Sequence, residues 1–311
     1  MKARSRILGL CAACIAIASC EGVDETLKPQ PVDWEGNAPL FNEAYRDSVV
    51  VKTSRGMALM FRDGTGLRIV GKTPIQPTFV SWSPRKWKVL YGLSNALYFM
   101  NSDGTKEQLV ATSRDYLLHA MMSPDGQSIA YIAIDTTDPY FNKGKIKLMN
   151  PDGTNVRELT SRIIGPNSVA WTSDSRYVIY SSQDSSYGGI DIISVEGTGH
   201  RFLYHNTYSS CDNPSMSPDG TTLAFTTAVG GVASRVVLLD IRSPGLLTAL
   251  TRGTSNEFQP SWSTDGRQLL FCCNNNGTSL QMVWKIDVDG QNLVCTTQAY
   301  QMVFSRPCWF R

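Results

Sequence analysis

The sequence predicts an all-β chain, a six-bladed β-propeller of four-stranded blades whose ring is closed by N- and C-terminal strands sharing one blade. Three observations carry this. A short phrase anchored on Trp or Met recurs six times, reading Ser-Pro-Asp-Gly in full after Met122 and Met216. Each complete copy is followed by runs rich in Val, Ile, Leu, Tyr and Phe. The copy that breaks off at the C-terminus finds its missing strands at the other end of the chain.

The phrase is anchored at Trp82, Met122, Trp171, Met216, Trp262 and Trp309, with spacings of 40, 49, 45, 46 and 47 residues. Its Ser-Pro-Asp-Gly supplies a proline with fixed φ, an Asp that bonds its own backbone and a glycine free to take positive φ, which together make a turn. The turn joins two strands as a hairpin, with second strands such as KVLYGL, SIAYIAI and TLAFTTA. A third strand follows (ALYFMN, KIKLMN, SRVVLLD), then a turn at Asp103-Gly104, Asp152-Gly153, Glu196-Gly197 or Asp289-Gly290. A short last strand such as NVRELT, NLVCTT or LLTALT ends the unit. One small sheet of this kind cannot bury two apolar faces alone, so copies must stack, and radial stacking gives a propeller.

The blade count follows from length. Residues 47–311 number 265, about 44 for each of six blades. The sixth unit begins at Pro307-Cys308-Trp309 and stops at Arg311, while residues 47–71 supply its remaining strands. Met60-Phe61-Arg62-Asp63-Gly64 matches Met100-Asn101-Ser102-Asp103-Gly104 in kind and place. Closure of this sort leaves the ring without an open end.

The Trp/Met-Ser-Pro-Asp-Gly phrase, the downstream Asp-Gly-Thr and the Leu-Thr ending resemble the TolB-type propeller repeat, over residues 47–311. The same repeat is used in propellers of prolyl-oligopeptidase-like hydrolases and of oligogalacturonate lyases. The resemblance specifies fold and leaves function open, because propellers host many activities. The sequence shows no Gly-x-Ser-x-Gly elbow of the hydrolases. The lyases resemble seven-bladed rings with several His and a Gln on a metal, and this chain has three His, at 119, 200 and 205. No metal and no cofactor are expected.

Residues 1–19 read as a lipoprotein signal peptide. Lys2, Arg4 and Arg6 precede an apolar run from Ile7 to Ala18, about 18 Å of helix, too short to span a bilayer. Ile17-Ala18-Ser19-Cys20 resembles a lipobox, with Cys20 the lipidated residue and ordinary cleavage the alternative. Residues 20–46 continue as the lipidated Cys and a Pro-containing acidic tether. Acidic residues after such a Cys resemble the export signal of surface lipoproteins, so the expected location is the outer membrane, facing the periplasm or the cell surface. Without its three N-terminal cations the chain has 26 basic and 27 acidic residues, no footprint for nucleic acid. Five cysteines remain in the propeller: Cys211, Cys272, Cys273, Cys295 and Cys308. Adjacent Cys272 and Cys273 should point to opposite faces of a strand, and they are expected either as buried thiols or with one bridge from this pair to Cys295 or Cys308.

Ligands meet a propeller where loops enter the innermost strands. Three residues before each anchor stand Phe79, His119, Ser168, Asn213, Gln259 and Arg306, with Asp212 and Glu257 close by. Such a ring could take an acidic peptide terminus or a sugar carboxylate, Arg306 acting as the bidentate partner; a water-filled mouth with ordinary strand-end residues is the plainer reading. His119 lacks obvious co-ligands for a metal apart from Gln259 and Glu257. His200 and His205 fall on a turn and outer strand. Segments 135–144 and 182–189 lengthen two hairpins and place Tyr187 outside. The expected function is therefore a non-enzymatic envelope lipoprotein whose propeller docks a protein partner. A carbohydrate-binding accessory of a glycan-uptake system is the alternative, and a polysaccharide lyase or hydrolase a third reading.

Overall fold

The computed structural model describes residues 48–309, apart from 72–75, 84–87, 141–142, 162, 184–186, 208, 229–232, 244–245, 253–254, 275–280 and 298–303. The signal segment, Cys20 and the tether therefore lie outside the described residues. Strands β1 (Ser48–Thr53), β2 (Gly56–Phe61) and β3 (Arg68–Val70) open the chain. Blade one is β4 (Phe79–Trp82), β5 (Lys88–Leu93), β6 (Ala96–Asn101) and β7 (Gln108–Thr112). Blade two is β8 (Tyr116–Met122), β9 (Ile129–Ile134) and β10 (Lys143–Met149), with an outer strand in two pieces, β11 (Arg157–Glu158) and β12 (Ile163–Ile164). Blade three is β13 (Val169–Trp171), β14 (Tyr177–Gln183), β15 (Tyr187–Ser194) and β16 (Arg201–Thr207). Blade four is β17 (Cys211–Met216), β18 (Thr222–Ala228), β19 (Ser234–Asp240) and β20 (Leu247–Ala249). Blade five is β21 (Glu257–Trp262), β22 (Gln268–Asn274), β23 (Gln281–Asp287) and β24 (Val294–Cys295). The last strand, β25 (Phe304–Trp309), pairs with β1 to complete blade six in the order β25-β1-β2-β3. Val49 lies opposite Trp309 and Thr53 opposite Phe304. The expected sharing of one blade by both termini is observed.

The repeated phrase works as its chemistry requires. In blade two, Ser123 Oγ donates to Asp125 Oδ1 at 2.5 Å, and the same carboxylate accepts the Gln127 N–H at 3.0 Å. The Gly126 N–H closes the turn on the Ser123 carbonyl with φ at 73°. Ser217-Asp219 and Ser263-Asp265 repeat the bond in blades four and five. At the second turn, Thr105 and Thr154 each donate both N–H and Oγ to Asp103 and Asp152. The Leu-Thr ending also has a physical use. The hydroxyls of Thr160, Thr251 and Thr297 accept the N–H groups of Ile146, Val236 and Val283, extending the ladder where the last strand has ended.

Alternation along the middle strands makes each blade apolar on both sides. In β5, Leu90 packs toward blade two with Phe79, Leu117 and Tyr131, while Val89 and Tyr91 pack toward blade six with Val50 and Leu59. Six such clusters fill the six interfaces. Anchors add polar stitches between blades: the indole N–H of Trp171 donates to Met121 O at 3.0 Å, and that of Trp262 to Ser215 O at 2.9 Å. Blade contact is close at Gly64, whose absent Cβ would lie 1.6 Å from the Thr296 carbonyl oxygen.

Two predictions follow from this construction. A chain truncated before Phe304 uncovers the β1 edge and one side of Val49, Val50 and Val51, each of which is worth about 1.5–3 kcal/mol when buried. It should lose its cooperative urea transition by near-UV circular dichroism; an unchanged transition would show that closure is dispensable. The second concerns acid. Hydrogen bonds from Thr154, Ser217 and Ser263 hold the carboxyls of Asp152, Asp219 and Asp265 below the usual range. A depressed carboxyl contributes stability above its unfolded value, about 3.9, and loses it as pH falls through the lower folded value. Burial raises Asp191 and Asp212, which act with the opposite sign. The triple variant Asp152→Asn, Asp219→Asn, Asp265→Asn should therefore lose less of its urea midpoint between pH 7 and pH 3 than the wild type. An equal loss would remove these turns from the acid response.

Candidate functional site: the ring axis

Strands β25, β4, β8, β13, β17 and β21 are the terminal strands of their sheets and leave one unpaired edge each. Residues from all six blades line an open cavity of about 360 Å3 between them. His119, Ser168, Asn213 and Gln259 stand on its wall, as the sequence predicts. The wall continues past them to the repeat turns through Met121, Trp171, Pro124 and Pro218. Arg306 lies within β25 beside Pro307, which lines the cavity, but the Arg306 side chain lies outside the described residues. Among the described side chains of the wall none is a carboxylate, a lysine or an arginine.

Two predicted mouth residues are elsewhere. Phe79 is 0% exposed and belongs to the core between blades one and two. Its ladder partner is Gly92, and a Cβ there would come within 2.3 Å of the Phe79 ring, so the missing side chain makes room for the aromatic. Glu257 is likewise buried and off the axis. Its carboxylate accepts the Val236 N–H at 3.0 Å and the Thr251 hydroxyl, tying blade five to blade four. Asp212 also stands behind the wall, where Asn167 Nδ2 donates to Oδ1 at 3.1 Å and burial raises the carboxyl.

Backbone irregularity decides the difference. The β4–β5 ladder is unbroken through Phe79. In β17, β21 and β25 the register shifts across Asn213-Pro214, Gln259-Pro260 and Arg306-Pro307. Each of these strands therefore carries a bulge with a proline in it, where a missing N–H costs no ladder bond. Asn213 and Gln259 take φ of 57° and 58°, a region disfavoured for non-glycine residues and for residues before proline. Strained backbone of this sort collects at ligand sites. The three successive Xaa-Pro pairs were the sequence signal for these bulges.

The polar groups differ in what they offer. His119 is 8% exposed, edge-on to Phe79, and its Nδ1 accepts the Val169 N–H at 3.2 Å. An acceptor at Nδ1 in a neutral ring places the proton on Nε2. The Ser168 hydroxyl is buried on the wall with no hydrogen-bond partner among the described residues, so a ligand or water can satisfy it. Away from the axis, buried Asp191 accepts from Ser182 Oγ and lies 3.0 Å from His200 Nε2. Hydroxyl and imidazole both bind the carboxylate and not each other, so this trio lacks the Ser–His contact that activates a nucleophile. His200 and His205 are otherwise exposed near Phe202 and Tyr187, consistent with their expected outer position.

Gln259→Gly removes the αL strain and should be at least as stable as wild type in thermal unfolding. His119→Ala should cost about 1–3 kcal/mol by leaving the Val169 N–H unsatisfied. A destabilised glycine variant, or a silent alanine variant, would contradict these assignments.

Comparison with known proteins agrees with the geometry. The fold is similar to TolB from Acinetobacter baumannii, with TM-score 0.71 and 18% identity over 85% of this chain and 67% of that one. A putative TolB from Agrobacterium tumefaciens gives TM-score 0.65 and 19% identity over 80% and 87%. A nidogen/laminin complex gives TM-score 0.70 at 11% identity over 85% and 98%. A puromycin-hydrolyzing peptidase from Mycobacterium tuberculosis gives 0.58 at 13%, over 80% of this chain and only 45% of that one. The model of the TolB beta propeller domain matches residues 140–309, more than half of the sequence. This chain belongs to the TolB beta propeller domain family.

Proposed function

We propose that this protein is a lipid-anchored envelope component whose propeller is a docking platform, with a protein partner engaging the ring axis. The observation that carries the reading is the character of the wall. It combines Met, Trp and Pro surface with the Asn213 and Gln259 side chains and the unsatisfied Ser168 hydroxyl, and it shows no described charge. Unpaired edges of the six inner strands add main-chain donors and acceptors, which suit an uncharged extended segment of polypeptide. A polyanionic glycan would need cationic groups, which the described wall does not show, and a lyase would need a base, whereas His119 Nδ1 is already committed to the Val169 N–H. Burial of Phe79 also removes the aromatic platform a sugar would want at the mouth. One fold relative was solved as a nidogen/laminin complex, a propeller with a protein partner. Cys20 and the acidic tether would hold the ring at the outer membrane.

Native co-purification from envelopes tests this, comparing the full chain with a Ser168→Ala, Gln259→Gly variant. A stoichiometric protein held by wild type and lost by the variant is expected. Absence of any such protein, or its equal retention by the variant, would overturn docking at the axis. Turnover of a uronic-acid polymer by the purified chain would overturn the non-enzymatic reading.

A further inference from the structure

The polypeptide that precedes the propeller joins it at the rim of the axial cavity. In blades two to five a repeat turn connects the inner strand to its neighbour, and Pro124, Ser173, Pro218 and Thr264 of those turns line the cavity. In blade six the same two places are held by β25 and β1. Val49 stands opposite Trp309 there as Val89 stands opposite Trp82 in blade one. Ser48 therefore enters its sheet at the turn position, one strand spacing, about 4.8 Å, from the axial strand. Any chain leading into Ser48 passes the rim of the cavity.

That chain carries a segment that matches the wall. Between Cys20 and Arg46 charged residues recur at short intervals, except over Gly36-Asn37-Ala38-Pro39-Leu40-Phe41-Asn42, which has none. The stretch combines Pro, Leu and Phe with two amide side chains. The wall offers Met121, Trp171 and Pro218 surface, the Gln259 amide and no described charge. Apolar and amide groups can leave water for such a wall, whereas a charged group loses far more by doing so. Glu35 and Glu43 bracket the stretch. They would remain at the rim, where the inner turns carry Arg176 and Arg267 beside Asp174 and Asp265.

We propose that residues 36–42 of this chain insert into the axial cavity from the turn face and occupy it in the absence of a docked partner. The inference rests on the reading of the axis as a site for an uncharged extended polypeptide. Reach is sufficient. Phe41 precedes Ser48 by seven residues, up to roughly 23 Å of extended chain. From Met122 at the inner turn to His119 the wall is three residues of β8 deep, about 10 Å. The cavity of about 360 Å3 lies at the small end of ligand pockets, roughly 300–1,000 Å3. It takes a few side chains of an extended segment, not a folded domain. A short flexible linker gives an effective concentration on the order of 1 mM, so a segment with a dissociation constant of about 0.1 mM fills the axis roughly nine-tenths of the time.

A thiol on the wall reports this occupancy. The five propeller cysteines are free, so no bridge runs from Cys272 or Cys273 to Cys295 or Cys308. Cys308 lines the axis as a half-buried thiol, and its Sγ accepts the Trp82 N–H at 3.5 Å. Cys273 and Cys295 are also half-buried but stand off the axial wall. An inserted segment covers Cys308 and leaves the other two unchanged.

The test is alkylation of the full chain in detergent with N-ethylmaleimide, followed at each cysteine by mass spectrometry. In the Leu40→Ser, Phe41→Ser variant Cys308 should react about ten-fold faster than in wild type, as nine-tenths occupancy requires, with Cys273 and Cys295 unchanged. A synthetic peptide of residues 36–42, added at about 1 mM to match the tethered concentration, should return Cys308 of the variant to the slow rate. Both substitutions precede the first strand of the ring, and a matched thermal transition verifies that the propeller is intact. Equal Cys308 rates in the two chains, or a variant rate that the peptide leaves untouched, would overturn the insertion. Failure here is distinguishable from failure of the docking reading. Equal alkylation rates beside a partner that Ser168→Ala, Gln259→Gly releases would remove the tether and leave docking standing. Ten-fold protection with no captured protein would do the reverse.

Discussion

The need of each four-stranded blade to cover two apolar faces governs this molecule. A helix or half-exposed sheet can satisfy itself with one partner, but a blade with Val89 and Tyr91 on one side and Leu90 on the other requires two. Only a closed ring gives every blade both neighbours. The pairing of β1 with β25 follows from this requirement, and so does the axial cavity, because wedge-shaped blades meet at their outer parts before their inner edges can touch. The site is thus a by-product of how the core is buried.

Because the inner strands are sheet edges, their unpaired main chain must be managed. Prolines in the bulges of β17, β21 and β25 remove N–H groups where no ladder partner exists, and at two of these bulges Asn213 and Gln259 take the left-handed region. The same device that protects an edge aims an amide at the axis. His119 and Ser168 complete the wall, one with its Nδ1 committed to a backbone N–H and one with its hydroxyl unanswered among the described residues. The described side chains of the wall are uncharged and partly apolar.

Glu257 shows how one side chain can link distant features. It secures blade five to blade four through Val236 and Thr251, and by ladder register it also heads the row that leads to Cys273 and Met282. The interface between these two blades therefore holds a fixed carboxylate beside its apolar cluster, while Cys272 packs on the other side of blade five with Leu270 and Val283.

Most of the architecture was legible in the chain itself. The repeated turns, the Leu-Thr endings, the number of blades and the shared terminal blade all depend on local chemistry and on counting, and sequence contains both. The opposite facing of Cys272 and Cys273 was equally accessible, since strand alternation is strict. Side-chain direction at the mouth was not. Phe79 and Gln259 stand at the same offset from their anchors, yet one fills the core and the other faces the axis. The cause is parity: a bulge inserts a residue and reverses which face the next side chain takes. Whether a strand bulges depends on how it meets its neighbours, as with the space that Gly92 leaves for Phe79. Local chemistry thus determined the ring, and only tertiary packing decided which residues look into it.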